Sequence, residues 1–296
     1  MNHKKSKKRP VLGGAVYILP NLLTSGNLFF GYFSIVKSML GDFTWAAGAI
    51  LLAAIFDVLD GRVARMTNGT SEFGVQYDSL CDLVSFGLAP AMMMFQYSLS
   101  SLGRIGWIIC FIFLACGALR LARFNVQSAI GQSDGDFTGL PIPMAAGVIA
   151  CFMGLMADVD GKDDPGIWII EQIYMLFSYT EVRQWFLAIM APLLGFLMVS
   201  NVPYRSHKSL KIKGIQAFRL LALLVVILGL VAYKPPLMGF LFFFIYALSG
   251  LFDQIMGWKK PTENEEIFQS DEDDSTEDVE PYPSSEVKGS RKGVER

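Results

Sequence analysis

Histidine is almost missing from this sequence of 296 residues: His3 and His207 are the only two, and both flank the apolar body of the chain. A histidine-based nucleophilic triad is thereby excluded. Cysteine is scarce as well. Cys81, Cys110, Cys116 and Cys151 all fall inside long apolar stretches without metal-type pairing, so they are expected to be small apolar packing residues. Charge is sparse, at 18% against 52% hydrophobic residues and a mean hydropathy of +0.41, which excludes a soluble domain with a large core and requires a membrane protein. No internal repeat is found, and no soluble-domain boundary precedes Pro261. A secretory signal is not expected either, because Pro20 and Asn21 interrupt the first apolar run and no small-residue cleavage site follows. Residues 11–20 are expected to lie along the membrane interface instead.

What the chain does have is a series of apolar runs, at about 21–40, 44–65, 73–97, 104–125, 138–157, 185–200, 215–233 and 236–257. Since about 20 residues suffice for one span, the expected fold is all-α, a polytopic transmembrane helical bundle of about eight spans. Seven is the alternative, because the sixth run is short and the first contains Lys37. Under the eight-span reading, 16 Lys and Arg lie on the N-terminal side up to Lys260 and five on the other, which makes the N-terminal side cytoplasmic. The longest outer loop is then about 158–184. Three regions are expected: a basic N-terminal segment over 1–20, a membrane domain over 21–260, and an acidic tail over 261–296. The tail carries 12 acidic and four basic residues and almost no aromatics, so it is expected to be disordered. The localisation expected is a prokaryotic cytoplasmic (inner) membrane. No nucleic acid partner is expected.

Against this apolar background, Asp57, Asp60, Asp78 and Asp82 stand out. A charge at the bilayer centre costs roughly 3 kcal/mol even on a lenient scale, so four carboxylates at membrane depth point to a wet or ion-filled functional site. At ~100° per residue, Asp57, Asp60, Gly61 and Ala64 share one helix face with Arg65 at its edge, and Gly74, Asp78, Cys81, Asp82 and Ser85 share a face of the next helix. A turn near Gly69 would set Asp57 level with Asp82 and Asp60 level with Asp78, giving two facing pairs. Such a cluster repels itself without cations, and hard ions such as Mg²⁺ or Mn²⁺ prefer oxygen ligands. Gly61, Ala64 and Gly74 leave room for a bulky polar ligand, and Arg65 offers a fixed fork for phosphate oxygens, so the expected ligand is a diphosphate. A cation transporter or an intramembrane prenyltransferase would also use intramembrane carboxylates. Confinement to a single hairpin argues against both.

The string D-x-x-D-G-x-x-A-R-x8-G-x-x-x-D-x-x-x-D, complete over the 26 residues from Asp57 to Asp82, resembles the signature of the CDP-alcohol phosphatidyltransferases. The resemblance implies a polytopic membrane enzyme that moves a phosphatidyl group from a CDP-linked lipid to an alcohol and releases CMP. It implies that Asp57, Asp60 and Asp78 bind metal, Mg²⁺ or Mn²⁺, that Asp82 completes the site and serves as general base, and that Gly61, Ala64, Arg65 and Gly74 contact the CDP moiety. A homodimer is implied too. Three further segments, Pro20 to Asn27, Ala118 to Val126 and Phe137 to Pro143, are similar to the serine-accepting branch of the family in bacteria and archaea, with Leu197 to Lys208 as a weaker fourth. The substrates this implies are CDP-diacylglycerol and L-serine. A glycerol-phosphate or inositol-phosphate acceptor is the alternative. Serine carries a carboxylate, which a guanidinium binds well, so Arg120, Arg123 and Asn125 are the candidate serine or phosphate contacts. Their arginines would equally serve the positive-inside bias or bind lipid phosphate.

Overall fold

A segment that crosses a bilayer finds no water for its backbone amides and carbonyls, so long apolar runs must close their hydrogen bonds internally as helices. The computed structural model describes residues 15–67, 71–129, 137–161, 168–204 and 234–255. In chain order the helices are α1 (Ala15–Met39), α2 (Phe43–Thr67), α3 (Glu72–Tyr97), α4 (Arg104–Ala129), α5 (Ile142–Gly161), α6 (Trp168–Ser178), α7 (Thr180–Val199) and α8 (Pro235–Ile255). The only strands among the described residues are β1 (Phe137–Thr138) and β2 (Pro203–Tyr204), which pair antiparallel. The chain is therefore all-α.

Among the described residues, four helical stretches, Phe43–Thr67, Glu72–Tyr97, Arg104–Ser128 and Thr180–Val199, are long and apolar enough to cross a membrane. Ile142–Ala157 and Pro235–Gly250 are shorter apolar stretches. Each expected run except 215–233 coincides with a helix, and that run lies outside the described residues, as do Gly69, His3, His207 and the tail from Pro261.

Helix α1 starts at Ala15, ahead of the expected first run, and continues through Pro20. Pro20 lies near the helix start, where its missing amide forfeits a single bond, and Thr24 Oγ and Ser25 Oγ donate back to the carbonyls of Pro20 and Asn21 at 3.1 and 2.8 Å. The stretch 158–184 is not simply a loop, because it holds α6 and the first turn of α7. The aromatic side chains of α6 account for it. Phe177 packs edge-on against Phe152 of α5 and Phe186 of α7, at centroid distances of 5.4 and 5.3 Å.

The core is assembled from α2 to α8 around fully buried Ile50, Phe86, Phe113, Ile149, Phe152 and Met153. All four cysteines are free and buried, as expected. Helix α3 is irregular, with a π-helical turn over Leu83–Leu88. Pro90 lies two residues beyond it; its ring would clash with the carbonyl of Phe86 in a regular helix, and the widened turn relieves that clash. At the far end of α3, Tyr97 OH and Arg183 Nη1 donate to the two oxygens of Asp160 at 2.9 and 2.6 Å, and Arg183 also donates to Tyr97 OH. This clamp ties α3, α5 and α7 together away from the aspartates.

Candidate active site

The α2–α3 hairpin brings the aspartates together. Ser71 starts α3 by accepting a hydrogen bond from the Gly74 amide at 3.0 Å, an N-cap that fixes where the second helix begins after the turn. As a result one carboxylate oxygen from each of Asp57, Asp60 and Asp78 lies within 4.8 Å of the others. Asp60 Oδ2 and Asp78 Oδ1 are buried without a hydrogen-bond partner. Leaving buried carboxylate oxygens unpaired is costly, whereas three hard oxygen donors converging on one point fit a divalent cation.

Asp82 lines the same cavity as that trio. It is 7% exposed, and its Oδ1 accepts a hydrogen bond from Asn27 Nδ2 of α1 at 2.9 Å. Asn27 thereby brings a third helix, α1, onto Asp82 beside the hairpin. Asn27 is itself fully buried, and its backbone carbonyl accepts from Ser85 Oγ in the π-helical turn at 3.0 Å. Gly31 makes this approach possible: a Cβ there would stand 2.2 Å from Ser85 Oγ and 2.7 Å from Ser85 Cα.

A cavity of about 720 Å³ opens over these residues. All of Asp57, Asp60, Gly61, Ala64, Arg65, Gly74, Asp78 and Asp82 line it. At Gly61 an added Cβ would meet nothing closer than Arg65 Nη2 at 3.9 Å, so the backbone there is open to a ligand. Gly74 is more crowded, with Ser71 Oγ 3.1 Å and Asn21 Oδ1 3.5 Å from such an atom. It serves helix approach as well as access.

The segments singled out beyond the aspartates converge on the same cavity. Pro20, Asn21 and Thr24 line it from α1, Arg120, Leu121, Phe124 and Asn125 from α4, and Pro141 and Pro143 from the start of α5. Arg120 lies within electrostatic reach of Asp82 and Asp57, and its guanidinium sits over the Phe124 ring at 5.5 Å. Asn125 Nδ2 donates to Ser79 Oγ at 3.0 Å, joining α4 to α3. Arg123 is placed elsewhere. It donates to Asn201 Oδ1 at 2.6 Å and to the Val199 carbonyl at 3.3 Å, and does not line the cavity.

Those contacts explain the Leu197 to Lys208 segment as far as Tyr204. Its backbone carbonyls at Val202 and Leu197 accept from the Gly139 and Leu140 amides at 2.9 and 3.0 Å, pinning the turn that carries Pro141 and Pro143. Gly139 has φ +81°, and a Cβ there would come within 2.3 Å of the Met198 carbonyl oxygen. Only glycine fits.

Sequence reasoning missed Ser79, Ser128 and Met144, and above all Tyr246, which lines the cavity from α8. A polar ring among the phenylalanines of the last apolar run was the one signal available for Tyr246. Asn27 was quoted within a motif but given no role, since pairing with Asp82 spans most of three helices.

Comparison with known proteins agrees with this geometry. Residues 17–196 match the sequence model of the CDP-alcohol phosphatidyltransferases. A CDP-diacylglycerol--serine O-phosphatidyltransferase from Helicobacter pylori (strain ATCC 700392 / 26695) is 36% identical over 237 residues, covering 80% of this chain and 90% of that protein. An archaetidylserine synthase from Methanothermobacter thermautotrophicus is 36% identical over 188 residues, 63% of this chain and 69% of its own length. A CDP-diacylglycerol--serine O-phosphatidyltransferase from Mycobacterium tuberculosis (strain ATCC 25618 / H37Rv) is 30% identical over 240 residues, 78% of this chain and 76% of that one. Four apolar helices of spanning length fit an integral membrane protein. With every position of the aspartate signature lining one cavity and the match running over more than half its length, this chain belongs to the CDP-alcohol phosphatidyltransferase family.

Proposed function

We propose that the chain is a phosphatidylserine synthase, transferring the phosphatidyl group of CDP-diacylglycerol to the hydroxyl of L-serine, with release of CMP, at the cytoplasmic face of a prokaryotic inner membrane. The observation that carries the serine reading is the charge of the cavity. Among its described lining residues the cations are Arg65 and Arg120 alone. With Arg65 assigned to the diphosphate, one guanidinium is left for the acceptor, which suits the single carboxylate of serine better than a phosphate dianion.

In this reading Asp57, Asp60 and Asp78 hold a divalent cation, Mg²⁺ or Mn²⁺, with Asp82 beside them. Such an ion, when bound, offsets the negative charge that develops on the CMP leaving group. Gly61, Ala64 and Gly74 let the nucleotide approach the helix backbones, and Arg65 engages diphosphate oxygens. Asp82, one oxygen occupied by Asn27, takes the proton of the serine hydroxyl on the other. The serine oxygen then bonds to the phosphorus nearer the diacylglycerol as the bond from that phosphorus to the CMP oxygen breaks. Arg120 orients the serine carboxylate, and Asn125 contributes a polar contact through the face it shares with Ser79. Arg123 acts at one remove, holding the turn at Asn201.

Competition between radiolabelled serine and unlabelled glycerol 3-phosphate or inositol phosphate on purified protein tests the acceptor. Serine incorporation should persist under excess of either competitor. Transfer to a phosphorylated acceptor in preference to serine would overturn the reading.

The acidic segment 261–296 is proposed to be dispensable, so a chain ending after Lys260 should insert and turn over; an inserted but inactive truncation would refute this. A homodimer is proposed from the family resemblance and the small residues on the helices. Cross-linking in native membranes checks it, and a strictly monomeric active species would refute it.

A further inference from the structure

The cavity draws on a helix that the family-wide match does not reach. The match ends at residue 196, whereas Tyr246 lines the cavity from α8. Its place is fixed by close contact between α8 and α5. A Cβ on Gly147 of α5 would stand 2.8 Å from the Phe243 ring, one on Gly154 would stand 3.3 Å from Pro236, and one on Gly239 of α8 would stand 2.6 Å from Cys151 Sγ. Three small residues along this seam thus let the two helices approach closely. Ala247, 1% exposed, is buried next to Tyr246.

Tyr246 shares its part of the cavity with Arg120, which lies within electrostatic reach of both Tyr246 and Asp82. An acceptor whose hydroxyl faces Asp82 and whose carboxylate faces Arg120 therefore has Tyr246 as its neighbour on the carboxylate side. A phenol is a neutral donor. It adds a hydrogen bond to a carboxylate without adding charge, which matches the single positive charge already available there.

We propose that Tyr246 is an acceptor-binding residue which, together with Arg120, forms the subsite for the acceptor's carboxylate and so sets the choice of alcohol. The family-wide hairpin supplies the CDP-lipid chemistry, and α8 supplies part of the selectivity. This rests on the serine reading above.

The test compares full-length wild type, Tyr246→Phe and Tyr32→Phe in detergent with CDP-diacylglycerol and Mn²⁺. Tyr32 is an exposed α1 side chain outside the cavity and serves as control. Tyr246→Phe keeps the ring and its packing while removing the hydroxyl. KM for serine should rise at least tenfold, as expected for losing a hydrogen bond to a charged group, while KM for CDP-diacylglycerol stays within twofold of wild type. Ethanolamine, which is serine without the carboxylate, provides the second readout. Wild type should favour serine strongly over ethanolamine, and Tyr246→Phe should lose most of that preference; a merely structural role would lower both activities in parallel. An unchanged serine KM, or a parallel loss with both acceptors, would overturn the assignment of Tyr246. A wild type that does not use serine would instead overturn the serine reading itself, so the two failures appear in different proteins.

Discussion

Asn27 Nδ2 donates to Asp82 Oδ1 across 2.9 Å, joining the first helix of the chain to the last aspartate of the signature. The bond occupies one oxygen of Asp82 and fixes the direction of the other. Asn27 is anchored in turn through its backbone carbonyl by Ser85. A carboxylate that must accept a proton at a defined point needs such a mount.

Replacing Asn27 by Leu, of similar size but without the amide, should therefore lower kcat about tenfold or more, in the range typical of residues that orient a functional group. KM for CDP-diacylglycerol should change little. Steady-state kinetics beside a thermal melt of the same preparation checks this. Unchanged kcat would show that the hydrogen bond has no part in turnover.

The trio of Asp57, Asp60 and Asp78 predicts dependence on a divalent cation, since two of its oxygens are buried without a partner. Activity should vanish on exhaustive chelation and return with Mn²⁺ or Mg²⁺, and Asp57→Asn or Asp60→Asn should leave no detectable turnover. Cys81→Ala, outside the cavity lining, should cost little. Full turnover in metal-free protein would contradict the role given to the trio.

The base role proposed for Asp82 predicts that binding and chemistry come apart. Asp82→Asn should keep CDP-diacylglycerol and metal affinity while losing transfer by about 10²-fold to 10⁴-fold, because an amide accepts hydrogen bonds but cannot take the proton. Asp78→Asn should weaken metal and nucleotide binding along with the rate. Nucleotide affinity measured beside CMP release distinguishes the two. Equal loss of metal affinity in both variants would remove the distinct role of Asp82, and near-normal turnover in Asp82→Asn would refute the mechanism.

The parts of this site that were legible from sequence are the local ones. Asp57 to Arg65 and Gly74 to Asp82 each lie on one helix, so helical periodicity was enough to put them on common faces, and the short turn between them brought the faces together. The contact between Asn27 and Asp82 was not legible. It joins residues far apart in the chain and needs an approach of α1 to the π-helical turn that Gly31 permits. Arg123 and Arg120 look alike on paper, one turn apart on α4. What separates them is Asn201, which captures Arg123 and leaves Arg120 in the cavity. Similarly α6 was hidden in an expected loop, since its stability comes from Phe177 against Phe152 and Phe186 and not from a spanning hydrophobic length.

The central claim is that this cavity transfers a phosphatidyl group to serine. Its most direct test is CMP release by purified full-length protein supplied with CDP-diacylglycerol and Mn²⁺, with and without L-serine, followed by identification of the lipid formed. The account predicts release that requires serine, yields phosphatidylserine in equal amount, and is absent in Asp57→Asn. CMP release that is indifferent to serine, or a lipid product carrying a different headgroup, would contradict it.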